Sequence, residues 1–205
     1  MYVNIHSLID VNMRDSSTTK KKIHQAALTL FVEKGVAETT VRDLSRSAGI
    51  AEGTLYRHYA SMADLIWDLF SSNYAAFAQH LNEVLIPFDN FPDKWTAIVK
   101  VFCRFYDDEP DKFRFLMLAQ HQALPQVPDT IAENPVELLH SVISSAMEQG
   151  EINRMDAGLA VSLAIGMLLQ PAVGAIYGRV PKPLSQHAST ITSATFAALG
   201  VTRAP

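Results

Sequence analysis

Apolar residues recur along this chain at three- and four-residue intervals almost from end to end, the spacing that lays them on one face of an α-helix. Ile23, Ala26, Ala27, Leu30 and Phe31 form a first stripe, which Gly35 closes. Val41, Leu44 and Ala48 make a short second one, ended by Gly49, and Leu55 and Tyr59 anchor a third over residues 52–59. A long fourth stripe covers residues 62–85 through Leu65, Leu69, Phe70, Phe77 and Leu81, and stops ahead of Pro87. Further helices are expected over residues 94–107, 110–123, 135–149, 155–177 and 184–199. Between them lie loops marked by Pro87, Pro92, Pro125 and Pro128, or a stop at Gly150. No segment holds the period of two that a strand requires, and no repeat is visible. The pattern predicts an all-α fold of about nine helices.

The informative stretch is residues 39–65, TTVRDLSRSAGIAEGTLYRHYASMADL. Thr40 is placed to cap the second helix, with Asp43 three residues on reaching back as in a capping box. Gly49 stands where the helix must end in a left-handed residue. Ser61 and Asp64 repeat the cap ahead of the fourth helix. Two short helices around a tight turn form a helix-turn-helix, whose second helix enters the major groove of DNA. With Leu55 and Tyr59 turned inward, Gly53, Thr54, Tyr56 and Arg57 face outward and His58 lies at the margin. Such a face suits double-stranded DNA. Glycine permits close approach, hydroxyls reach phosphates and arginine grips guanine through two hydrogen bonds. Thr40, Arg42 and the lysines Lys20 and Lys22 are expected to add phosphate contacts. The same lysines are also compatible with a solvated helix start, where cations oppose the macrodipole.

Charge supports contact with DNA at one end. Residues 1–60 carry a net charge of +2 and residues 61–205 carry -6, together -4. A mildly basic head on an acidic body fits DNA contact by one end only. Cys103 is the sole cysteine, so no internal disulfide is possible and a reducing, cytoplasmic location is expected. The apolar run at the start is broken by Asp10 and Arg14, unlike a signal peptide. Residues 1–17 are expected to be a flexible arm, with Met13 an alternative start; residues 18–61 a DNA-binding domain; and residues 62–205 a second domain.

The run from Phe31, Gly35 and Thr40 to Thr54-Leu55-Tyr56 and His58-Tyr59 resembles the tetracycline-repressor (TetR) family of bacterial transcription regulators. The specific likeness covers about residues 20–67. Beyond it the chain is similar in helix count, lengths and order, and in Gly150-Glu151-Ile152 before the eighth helix. The resemblance implies a repressor that binds a palindromic operator as a homodimer and is released by a small-molecule effector in the C-terminal domain. Three positions depart from the family's pattern. Glu52 stands where a basic residue is frequent, Met62 where lysine is usual, and Ala51 in place of a capping serine. Each removes a phosphate contact or a cap, so binding is expected either to be weaker than usual or to lean more on Arg42, Arg57 and the Lys20–Lys22 cluster.

Residues 158–178 carry no charge and are long enough to cross a bilayer, but Gln170 and Pro171 interrupt them at the centre. No membrane partner is expected, and burial between two subunits is the better account. Gly166, Gln170, Gly174 and Gly178 recur every four residues as a groove for a partner helix, and Thr195 is assigned to the same interface. Aromatic and methionine residues crowd the middle helices. Each alone reads as core. With the resemblance, Phe77, Phe102, Tyr106, Phe113, Met117, His121, Met147 and Met167 become candidates to line a pocket for an apolar or amphipathic effector. His80, His121 and His140 lack the helical spacing of a metal site, so no metal and no cofactor is expected. No nucleophile elbow, phosphate loop or dinucleotide fingerprint occurs, and no enzymatic activity is expected. The alternative left open is an all-α small-molecule carrier or enzyme with a degenerate DNA-binding head.

Overall fold

The computed structural model describes residues 5–127 and 134–201, with the side chains of residues 5–16, 121 and 122 outside that description. Among the described residues there is no strand. The described residues form nine α-helices in the order α1 (Ile5–Lys34), α2 (Val41–Ala48), α3 (Glu52–His58), α4 (Met62–Leu85), α5 (Phe91–Asp108), α6 (Pro110–Ala123), α7 (Pro135–Glu148), α8 (Ala157–Ile176) and α9 (Ala188–Leu199). Short 3₁₀ turns at Leu124–Gln126 and Leu184–His187 follow α6 and precede α9.

Three boundaries differ from expectation for local reasons. The segment expected as an arm is helical from Ile5 onward, because no glycine or proline interrupts the chain before Gly35. α5 starts at Phe91 because Asn90 caps it, its side-chain oxygen accepting from the Asp93 N–H at 2.9 Å with Pro92 in the first turn. The start expected for the ninth helix, at residue 184, is a 3₁₀ turn, and α9 proper begins at Ala188.

The chain forms two compact units. The first comprises residues 1–70 and 114–120, the second residues 71–113 and 121–205. The first unit therefore extends past the division at residue 61 drawn from sequence, because Leu65 and Leu69 of α4 are buried there. Its core holds Ile23, Ala27 and Phe31 of α1, Leu44 of α2 and Leu55 of α3. Phe115 of α6 stacks on Phe31 with ring centroids 5.7 Å apart. In the second unit α5 packs against α7, α8 and α9. Trp95 stacks on Phe91, and Phe91 meets Phe196 of α9. At the other end of α5, the Asp107 carboxylate accepts the backbone N–H groups of Leu184 at 2.7 Å and Ser185 at 2.9 Å. That tie fastens the 3₁₀ turn before α9 to α5.

Candidate nucleic-acid interface and ligand cavity

The helix-turn-helix is built from the caps its sequence predicts. Thr40 is extended (φ -99°, ψ 159°) and its hydroxyl accepts the Asp43 N–H at 3.1 Å. The Asp43 carboxylate accepts the Thr40 N–H at 3.2 Å, closing the box. The hydrogen bonds from Thr40, then from Lys34, hold the Asp43 carboxyl below its usual range. Gly49 ends α2 in the left-handed region at φ 65°, and the Ile50 N–H returns to the Ser45 carbonyl at 3.0 Å. Ala51 gives α3 no side-chain cap, while Ser61 caps α4 by accepting the Asp64 N–H at 3.1 Å.

α3 presents the outward face expected of a recognition helix. Leu55 and Tyr59 are buried; Gly53, Tyr56 and Arg57 are exposed; Thr54 and His58 are half-buried. Arg57 Nη2 donates to Thr54 Oγ1 at 3.0 Å, which brings the guanidinium and the hydroxyl together on the surface. At Gly53 an added Cβ would meet nothing within 4 Å, so the backbone there is open to a close-approaching partner. Thr40, Arg42 and Lys22 are exposed as well. Lys20 differs from expectation. Its ammonium lies 2.8 Å from Asp68 Oδ2 and is engaged within the unit.

That ion pair belongs to a cluster the sequence did not reveal. The Tyr59 hydroxyl, at the end of α3, donates to Asp68 Oδ2 of α4 at 2.6 Å. His24 Nε2 of α1 lies 2.7 Å from the Tyr59 oxygen and 3.0 Å from the same carboxylate oxygen. With Tyr59 donating to the carboxylate, the imidazole must contribute the N–H here. Burial holds the His24 imidazole below its ordinary pKa, against the pull of Asp68. Burial works to raise the Asp68 carboxyl, yet hydrogen bonds from Lys20, Tyr59 and His24 outweigh it and hold the group low. Burial, then the Asp68 bond, push the Tyr59 hydroxyl far above its usual range. The cluster joins α1, α3 and α4 through a fixed polar knot.

The second unit holds a cavity of about 810 Å³ along α4 and α5, open on one side. Phe77, His80 and Val84 line it from α4, and Ala97, Lys100, Val101, Arg104 and Phe105 from α5. Of the effector residues expected from sequence, Phe77 lines this space. Phe102, Tyr106 and Phe113 do not. They are buried and packed edge-to-face, with centroids 5.6 Å and 5.1 Å from Phe113, so the aromatic density fills core. Met117, Met147 and Met167 are half-buried and lie outside the lining, and Met117 belongs to the first unit. His121 is in α6, and its side chain falls outside the described residues.

α8 exposes an apolar strip. Leu159 is 54 % and Tyr177 72 % exposed, Leu163, Gly166 and Gln170 lie between them on the surface, and 33 % of the most apolar stretch is buried. Three expected interface residues do not join that strip. Gly174 faces its own chain: its carbonyl accepts the N–H of Arg179 at 2.8 Å, and a Cβ there would stand 2.8 Å from Val180 Cγ2. Gly178 lies beyond the helix end, left-handed at φ 70°. Thr195 is fully buried, its hydroxyl donating to the Ile191 carbonyl at 3.0 Å. Cys103 is buried too. Burial, then the Asp107 charge, push its thiol up to about 11, which leaves it protonated and unreactive at neutral pH.

Comparison with known proteins bears on the same regions. Residues 23–68 match the family described as bacterial regulatory proteins, tetR family. The HTH-type transcriptional regulator SrpR of Pseudomonas putida is 24 % identical over 180 residues, covering 81 % of this chain and 73 % of the relative. The HTH-type transcriptional regulator AcrR of Shigella flexneri is 33 % identical over 63 residues, 29 % of each protein. For most such relatives the likeness covers no more than 38 % of their length. Among solved structures, a TetR family transcription regulator from Marinobacter aquaeolei superimposes with a TM-score of 0.78 at 14 % identity, covering 94 % of this chain and all of that one. The transcriptional regulator FadR from Bacillus subtilis, solved in complex with stearoyl-CoA, gives 0.72 at 17 % identity, covering 85 % of this chain and 96 % of that one. An all-α fold shared with these structures and a family match over residues 23–68 lead to one conclusion: the chain carries a helix-turn-helix DNA-binding segment of the tetR family of bacterial regulatory proteins.

Proposed function

We propose that the protein is a homodimeric repressor that grips a palindromic operator in the cytoplasm and lets go when a small amphipathic effector enters its second unit. The observation that carries the reading is the exposed Arg57–Thr54 pair on α3, beside the open backbone of Gly53. Arg57 reads a base edge, while Thr40, Thr54, Tyr56 and Lys22 hold phosphates. His58 and Arg42 flank them, and Lys20 contributes only if its bond to Asp68 opens.

The exposed strip of Leu159, Leu163, Gly166, Gln170 and Tyr177 on α8 supports the dimer. Such an apolar face is costly to leave in water, and a second copy covers it by two-fold symmetry. Ser189, Thr190, Ser193, Ala194 and Ala197 of α9 are exposed and small, and suit close helix packing. The cavity along α4 and α5 supports the effector. α4 carries Asp68 of the first unit and Phe77 of the second on one helix, so a shift there reaches both. Two heads must meet half-sites about 34 Å apart, so a small change of spacing weakens both contacts together. The effector must bind the DNA-incompetent state more tightly, since equal affinity shifts nothing.

The test is a gel shift of the full chain on DNA flanking its own gene. Arg57→Ala is expected to cost about 1–3 kcal/mol and to relax preference at one base pair of each half-site. Unchanged affinity and preference in that variant would remove Arg57 from the reading.

A further inference from the structure

We infer that the cavity along α4 and α5 takes an anionic amphiphile, an aliphatic chain ending in a carboxylate or phosphate whose head is held by Lys100 and Arg104. This rests on the reading of the second unit as the effector domain and names the chemistry it selects. Much of the lining is apolar: Ala76, Phe77 and Val84 come from α4, Phe88 from the loop, and Val101 and Phe105 from α5, with Asn73 and Thr96 as uncharged polar members. A volume of about 810 Å³ lies within the usual range of small-molecule sites.

The charges are ordered along this floor. Lys100 and Arg104 stand one turn apart at the middle of the α5 residues that line the cavity, and neither is in an ion pair among the described residues. The carboxylates sit at the two ends. At the start of α5, Asp93 accepts the Asn90 amide at 2.8 Å. At its close, Glu109 is neutralised by Lys112 at 2.8 Å and Asp108 is the remaining acid. His80 adds a further donor from α4. A cationic head would therefore be repelled at the centre of the groove and find carboxylates only at its rims. A neutral head would gain nothing from the two cations, which stay exposed to water. A carboxylate or phosphate is matched by the arginine fork and the adjacent ammonium at once, while its chain covers Phe77 and Phe105. The apolar residues that line the cavity beside Lys100 and Arg104 set them apart from ordinary surface charges.

Calorimetric titration of the full-length protein with decanoate, decyl phosphate, decanol and decyltrimethylammonium tests the assignment. One or both anions should bind at least about tenfold more tightly than decanol, and the cation least, tenfold being about 1.4 kcal/mol. Lys100→Gln with Arg104→Gln, both exposed and remote from the core, should erase the anion preference and leave decanol affinity within about twofold. The stronger of the two anions identifies the head group. Failure of both anions to bind at millimolar concentration overturns the proposal, as does an anion preference that survives in the double variant. Operator binding, followed in the same samples, separates the two readings. Anions that bind as described but leave the operator complex intact sink the effector reading and keep the site. Release of operator by all four probes alike sinks the anion assignment and keeps the effector reading.

Discussion

Replacing Tyr59 by phenylalanine probes the polar knot of the DNA-binding unit with little else disturbed. The ring stays, so the buried aromatic surface at the end of α3 is retained. What goes is a hydroxyl that donates to Asp68 at 2.6 Å and accepts from His24 at 2.7 Å. A hydrogen bond to a charged partner contributes about 1.5–3 kcal/mol. The Asp68 side chain is 30 % exposed and keeps Lys20, so water and the ammonium recover part of the loss. The expected cost is therefore about 1.5–2 kcal/mol. In a chain of this length that lowers Tm by roughly 3–8 °C. Thermal unfolding followed by circular dichroism reads it directly, and a cycle with Asp68→Asn should give a coupling of about 1–2 kcal/mol. The backbone N–H of residue 59, which closes α3 on the Leu55 carbonyl at 3.0 Å, is kept in the variant, so α3 itself should stay helical. A loss under about 0.5 kcal/mol, or additivity of the two substitutions within that margin, refutes the account of the knot.

The same cluster sets a pH dependence. Burial lowers His24 below its ordinary 6.5, so the unfolded chain binds the proton more readily and stability declines as pH falls through that value. Asp68 is also held low, and its contribution is lost only below its ordinary 3.8. Chemical unfolding at pH 8, 6 and 5 should show the first decline, and His24→Gln should flatten it; a slope unaltered in that variant would assign it elsewhere. At the proposed dimer face, a Cβ added at Gly166 meets nothing within 4 Å of its own chain, so for Gly166→Leu sedimentation should report monomer with an intact helical signal. An unchanged dimer removes that strip from the interface. Gly200→Ala forces φ 64° on a residue with a Cβ and drives that atom into the Asn153 side chain. It should cost at least about 1–2 kcal/mol in urea unfolding, and a neutral result would mean the turn relaxes freely.

What the sequence disclosed was governed by range. Thr40, Gly49 and Ser61 act within a few residues of themselves, so caps and turn were readable, and the outward face of α3 followed from Leu55 and Tyr59 facing inward. His24 lies 35 residues from Tyr59 and 44 from Asp68 and gave no periodic signal with them; only the fold brings it to the pair. Composition misled where it had no geometry. The dense aromatic residues of α5 and α6 suggested a cavity, but Phe102 and Tyr106 pack edge-to-face on Phe113, and these three lie outside the lining of the cavity along α4 and α5. The regular Gly166–Gln170–Gly174–Gly178 spacing suggested one continuous groove, but Val180 folds back on Gly174. Thr195 was assigned to the subunit surface, though its hydroxyl is satisfied inside by Ile191.

The first unit is assembled from two stretches of chain, residues 1–70 and 114–120. As the polypeptide leaves the ribosome, α1 to α3 emerge long before Phe115, the ring that stacks on Phe31. At roughly 5–20 residues per second, several seconds pass in which Phe31 has no such neighbour. During translation the nascent head is thus an incomplete domain with an open apolar seam, a natural ligand for chaperones. Cut at residue 70 to make a portable DNA-binding module, it would carry that seam permanently. Any fusion meant to borrow this head must also borrow residues 114–120.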